Sequence, residues 1–289
     1  MLDRLLKRPQ PEDFLKNIGF VETQMVEHLA IDSDNVLLRL VDLSGSELSQ
    51  YSSTHAMLVM ALVEVGGAKI EQWDEDARKA LRLAALTMNI SMTELQDQLA
   101  VQKSPLTAGQ KSQIASHPQR SEEMLKALGC TDELWLETVR LHHESEPGPL
   151  SARKLPSQLA RMIHRADVFA SRLSPRKDRA ALSAGAAAQC AYLDEFQNPD
   201  QAGAALIKAV GIYPPGSWVG LASSELGIVL RRGEKAHCPL VAALIGPDGM
   251  PFSRPFLRDT QDKQYAVNVS LPPEKIKFKP RLATLLRLA

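Results

Sequence analysis

The sequence predicts a mainly α protein, a helical bundle followed by a small antiparallel β unit. Two observations predict it. Between residues 45 and 215 apolar residues recur at the i, i+3, i+4, i+7 spacing that makes one face of a helix. At Gly211-Ile-Tyr-Pro-Pro-Gly216 this period gives way to short apolar runs separated by Gly, Pro and Asp turns, the pattern of paired strands. Residues 1–44 form a lead-in of short helices broken by Pro9 and Pro11, and 216–289 hold the β unit and a basic tail.

In chain order, Ser44 or Ser46 can cap a first bundle helix carrying Leu58, Ala61, Leu62 and Val65 on one face, with Gly66-Gly67 at its end. Asp74 opens the next, whose buried face is Ala77, Leu81, Ala84, Ala85 and Met88. Thr107 and Gln110 have the spacing of a capping box. Pro118 is expected to kink or end that helix, with a second piece running from Ser121 to Leu128. Thr131 opens a helix with Asp132 and Glu133 in its first turn, where negative charge suits the dipole, and Pro147-Gly148-Pro149 breaks it. Residues 155–173 carry the stripe Leu159, Met162, Ile163, Ala166, Asp167 and Ala170, and 180–192 and 199–210 complete the helices. Strand-like runs follow at 218–221, 226–230, 240–245 and 265–269.

Lys and Arg number 34 and Asp and Glu number 34, so net charge offers no attraction to nucleic acid or to a membrane surface. The short basic tail, 271–289, reads as a solvated end rather than a nucleic-acid contact. The three cysteines are scattered without metal spacing and read as reduced thiols of a cytosolic protein. The charged N-terminus has no apolar core of a signal peptide. No stretch approaches the ~18 uncharged apolar residues of a membrane span.

The chemistry centres on Val139-Arg-Leu-His-His-Glu144. Adjacent histidines at the end of an apolar helix point to a polyhistidine pocket, which His55, His117 and Asp167 can join. Imidazole and carboxylate together suit a divalent first-row metal. Each residue also has a plainer reading: His55 as a core histidine, His117 as a helix-end residue before Pro118, and Asp167 as the partner of Arg161 or Arg165.

The order of these residues resembles the HD-GYP branch of the HD-domain metal phosphohydrolases over residues 45–235. Tyr51-Ser-Ser-Thr-His55 resembles the opening histidine, and Ser104-Pro-Leu-Thr107 through His117-Pro118 the K-P-x-x-L-T…H-P segment. Leu141-His-His-Glu144 resembles the histidine pair, and Leu159 through Phe169 the A-R-I-x-x-x-A-D helix. The resemblance implies an HD-type bundle, cyclic di-GMP as substrate, a two- or three-metal centre of iron or manganese, and His55, His117, His142, His143 and Asp167 as ligands. Three departures stand against turnover. Met88-Asn89 occupies the place of the His-Asp pair, whose Asp bridges two metals in the family. Met92 replaces the lysine that follows it, and Glu144-Ser-Glu-Pro-Gly-Pro149 replaces the G-Y-P segment.

The expectation is a catalytically impaired relative that binds cyclic di-GMP, another nucleotide or a signalling protein, with at most one divalent metal ion per chain or none. Arg140 and Arg161 could contact phosphate. A working phosphohydrolase with one metal on His117, His142 and His143 is the alternative, and an interaction module with relic histidines is the third reading.

Overall fold

The computed structural model describes residues 1–46, 48–145 and 148–289. The bundle is built round α3 (Tyr51–Gly67), whose run Leu58–Val63 is almost entirely buried. A helix apolar on all sides belongs at the centre. α2 (Phe14–Ser46), α4 (Glu75–Thr87), α8 (Leu155–Leu173) and α10 (Gln201–Val210) pack on it. Gly66 and Gly67 end α3 as expected and also let neighbours close in: a Cβ on Gly66 would sit 3.2 Å from Leu206, and one on Gly67 3.2 Å from Leu81.

α1 (Leu2–Lys7) and α2 make up the lead-in. α2 is one long element rather than the expected short helices, with a single non-helical residue at Asp32. The Asp32 carboxylate accepts from the Asn35 backbone N–H at 3.0 Å and so restarts the helix, as an N-cap does. Ser44 and Ser46 are not caps of α3. Their hydroxyls donate to the Val41 and Asp42 carbonyls inside the last turn of α2.

Asp74 caps α4 through the Ala77 N–H, and Thr107 and Gln110 form the capping box that starts α6 (Ala108–Ala127). α5 (Thr93–Val101) lies between them. The expected break at Pro118 does not occur, and α6 runs through it. α7 (Glu133–Leu141) is capped by Asp132, whose carboxylate accepts from Trp135 N–H, rather than by Thr131. α7 stops before His142 and His143, which occupy the turn that follows; Pro147, the expected breaker, lies outside the described residues. α9 (Ala184–Tyr192) and α10 start at Ser183 and Asp200.

The β unit is one antiparallel sheet in the order β4-β3-β2-β1-β5. Its strands are β1 (Trp218–Leu221), β2 (Leu226–Arg231), β3 (Leu240–Ile245), β4 (Pro251–Asp259) and β5 (Val267–Leu271). β4 has no counterpart in the sequence reading. It is an edge strand with much of its surface exposed, the place where Pro251 and Pro255 are tolerated. Arg231 pairs with Asp32 at 2.8 Å and Arg232 with Asp34, which fastens β2 to α2 at its interruption. The basic tail is more than a solvated end. Its short helix α11 (Leu282–Leu286) buries Leu285 in a cluster with Leu38 and Trp218.

Candidate metal centre

Three helices and the turn after α7 bring the polar residues together. α6 supplies His117, the turn supplies His142 and His143, α8 supplies His164 and Asp167, and α3 supplies His55. One ring nitrogen from each of His117, His142 and His143 lies within 4.8 Å of the other two. His117 and His142 are buried, while His143 is exposed and opens the cluster to solvent.

The protonation of the two buried rings follows from their partners. His117 Nδ1 is 2.6 Å from the Ile114 carbonyl, and His142 Nδ1 is 2.6 Å from the Val139 carbonyl. A carbonyl oxygen only accepts, so each Nδ1 carries the proton. Burial pushes the His117 imidazolium down to about 4 and His142 well below the ordinary histidine value, so at neutral pH each ring holds that one proton. Both Nε2 atoms are then bare, and they face each other at 3.1 Å. Two lone pairs at that distance repel unless a cation lies between them. The donor set therefore fits a divalent ion, with imidazole Nε2 as the ligand atom and Nδ1–H fixed by a carbonyl.

Asp167 is spoken for. Its carboxylate accepts from His55 Nε2 at 2.7 Å, rather than from Arg161 or Arg165. Burial alone would raise the Asp167 carboxyl. The His55 hydrogen bond and the fields of His55, His143 and His142 outweigh burial and hold it well below the usual carboxylate range. His55 stacks on Tyr51, whose hydroxyl accepts from Arg176 Nη2 at 3.0 Å.

Met88 is buried at the end of α4, and Asn89 begins the 3-10 turn Ile90–Met92. Ser91 docks this turn on α6, donating to the His117 carbonyl at 3.1 Å and meeting the Ser121 hydroxyl at 2.9 Å. Met92 lines a cleft of about 720 Å³ with Lys7, Gln113 and Arg120.

Both candidate phosphate contacts are tied to acids. Arg161 is buried and donates to Asp200 at 2.7 Å and Glu195 at 2.9 Å. Arg140 is exposed beside Glu137 and Glu122. The Arg161 hydrogen bond and the charges of Arg165 and Arg161, working against burial, hold Glu195 down to about 2. Sequence reading passed over His164, which donates from Nδ1 to the His142 carbonyl at 3.0 Å and rests its ring 5.6 Å from that of His143. Its signal was its place three residues before Asp167, on the same face of α8.

A family model for the HD domain matches residues 35–195. The chain belongs to the HD-domain family. Among curated proteins, this HD-domain chain is 31% identical to a cyclic di-GMP phosphodiesterase of Pseudomonas aeruginosa over 202 residues, which is 68% of the chain and 48% of that protein. The chain thus spans about half the length of this relative. No solved structure matches it. Among the described residues of this HD-domain protein, no helix is long and apolar enough to cross a membrane.

The lowered values give a pH dependence. His117 is neutral in the folded chain down to about 4 but titrates near 6.5 once unfolded. The unfolded chain binds more protons in this window, so the stability is present above pH ~6.5 and is lost as pH falls toward 4. His142 adds in the same direction. Thermal unfolding in the presence of a chelator is expected to show a midpoint that falls steadily between pH 7 and 4. A flat profile would mean the two rings are not held neutral by the fold.

Proposed function

We propose that the chain is an HD-GYP-type signalling protein that binds cyclic di-GMP or a related nucleotide without turning it over. The observation that carries this reading is Met88-Asn89 at the end of α4, where the HD-GYP pattern requires a metal-binding His and a bridging Asp. Asn89 offers a neutral carbonyl oxygen in place of an anion, and the thioether of Met88 is a poor match for manganese or ferrous iron. Among the described residues, Asp167 is the carboxylate whose charge acts on both buried histidines, and His55 already donates to it. Two divalent ions here would repel each other with little anionic charge to offset them.

One ion, iron or manganese, suits His117, His142 and His143. When bound it supplies a Lewis acid for a phosphoryl oxygen. His117 and His142 present their bare nitrogens from the buried side, and exposed His143 leaves the solvent side open for a ligand. That opening also favours the second reading, a phosphohydrolase working with a single ion. A signalling protein remains the other class of partner for the same fold.

The test is equilibrium dialysis against cyclic di-GMP with Mn2+, followed by chromatography of the bound fraction. Saturable binding with the cyclic dinucleotide recovered intact is expected. Recovery as linear dinucleotide or GMP would establish the single-ion hydrolase instead. Absence of binding would leave the nucleotide reading without support and point to a protein ligand.

A further inference from the structure

His117 and His142 share a feature that their surroundings do not explain equally. Each ring donates Nδ1–H to the carbonyl three residues earlier in the chain, and each contact is 2.6 Å. For His142 the acceptor is available because α7 ends at Leu141. The Val139 carbonyl belongs to the last turn, where no further helical N–H arrives. For His117 the helix continues for another ten residues to Ala127. In a regular helix the Ile114 carbonyl would accept from the backbone N–H of residue 118. That residue is proline and has no N–H.

We infer that Pro118 is a positioning residue for the metal centre: by withholding its N–H it leaves the Ile114 carbonyl to His117 Nδ1, which fixes the tautomer and aims bare Nε2 at His142. The missing hydrogen bond that ordinarily makes proline a helix breaker is replaced, within the same turn, by a side-chain donor. This accounts for α6 running through Pro118. It also accounts for a ring on α6 and a ring in the turn after α7 meeting Nε2 to Nε2 at 3.1 Å. Ser91 meets the same turn at the His117 carbonyl, while the ring nitrogens meet the Ile114 carbonyl and His142 Nε2. The inference rests on the reading of His117 as a metal ligand.

The test compares the full-length native chain, Pro118→Ala and His117→Ala. Mn2+ affinity is read from the free-ion electron paramagnetic resonance signal, and the tautomer from 15N chemical shifts of the imidazoles in the metal-free protein. Alanine at 118 restores an N–H to the Ile114 carbonyl in a helix-favouring residue, so the thermal midpoint should hold or rise. His117 is expected to shift from a pure Nδ1–H form to a mixture, and Mn2+ affinity to fall at least tenfold, the scale on which partners of a metal-bound histidine act. His117→Ala should abolish binding. If His117→Ala binds Mn2+ as the native chain does, the ligand reading fails. If His117→Ala loses the ion while Pro118→Ala keeps native affinity, or keeps a pure Nδ1–H tautomer, the positioning role is overturned.

Discussion

Replacing Met88 with His and Asn89 with Asp is expected to raise the metal content from one ion per chain to two. The aspartate would add a carboxylate where Asn89 offers a neutral amide, and the histidine an imidazole of the type already present in His117 and His142. The change is made at the buried end of α4, one turn from the point where Ser91 holds the chain to α6 beside His117. Met88 is 1% exposed, so a polar ring there without metal should destabilise the chain by about 1–3 kcal/mol. Metal should offset that loss, because an ion bound only by the folded state stabilises it. Metal counting by mass spectrometry and thermal unfolding with and without Mn2+ check both halves. A double variant that still holds one ion would place the cause of the single site elsewhere. Turnover need not return with the second ion, since Met92 and the absent G-Y-P segment remain.

Arg82→Ala is expected to cost about 3–5 kcal/mol of unfolding free energy, the range for removing one partner of a buried ion pair. Against a total of about 5–15 kcal/mol for a typical domain, that is a large share. Arg82 has 3% of its side chain exposed and donates to Glu22 of α2, to Glu64 of α3 at 3.0 Å, and to Glu75 at the start of α4. Removing it leaves Glu22, itself 4% exposed, as an uncompensated buried carboxylate. Urea unfolding measures the loss, and Glu22→Gln in the same background should recover part of it by removing the stranded charge. By contrast, removing the Lys126–Glu122 pair, whose lysine lies in solvent, should leave stability almost unchanged. A loss below about 1 kcal/mol for Arg82→Ala would show that packing alone joins the lead-in to the bundle.

The bundle and its β unit were legible because both announce themselves in hydrophobic period. α3 could not be hidden, with Leu58 to Val63 buried in succession, and Tyr213-Pro-Pro-Gly216 marks the change of period. What escaped depends on partners distant in sequence. α2 reads as fragments because it is half polar and interrupted at Asp32, and its continuity is supported by Arg231 and Arg232 about 200 residues later. β4 escaped because its exposed residues and two prolines suit only a sheet edge, and sequence alone does not say which strand is the edge. Pro118 reads as a kink or a helix end because the rule counts the lost backbone bond and not a side chain that can replace it.

The candidate site divides in the same way. The histidine pair and the resemblance in residue order single out His55, His117, His142, His143 and Asp167, and three of these four histidines converge. The His55–Asp167 hydrogen bond joins helices 112 residues apart, and Arg161 proves to be held by Asp200 and Glu195. Neither pairing leaves a trace in local spacing.

If Met88-Asn89 disables the centre, the chain holds no more than one ion and leaves cyclic di-GMP intact. The direct measurement is metal content and cyclic di-GMP hydrolysis on one preparation of the native chain, saturated in turn with Mn2+ and with Fe2+ under anaerobic conditions. No more than one ion per chain and no product above the protein-free control are expected. Two ions per chain with turnover on the order of 1 per second, the lower end of ordinary enzyme rates, would contradict that expectation.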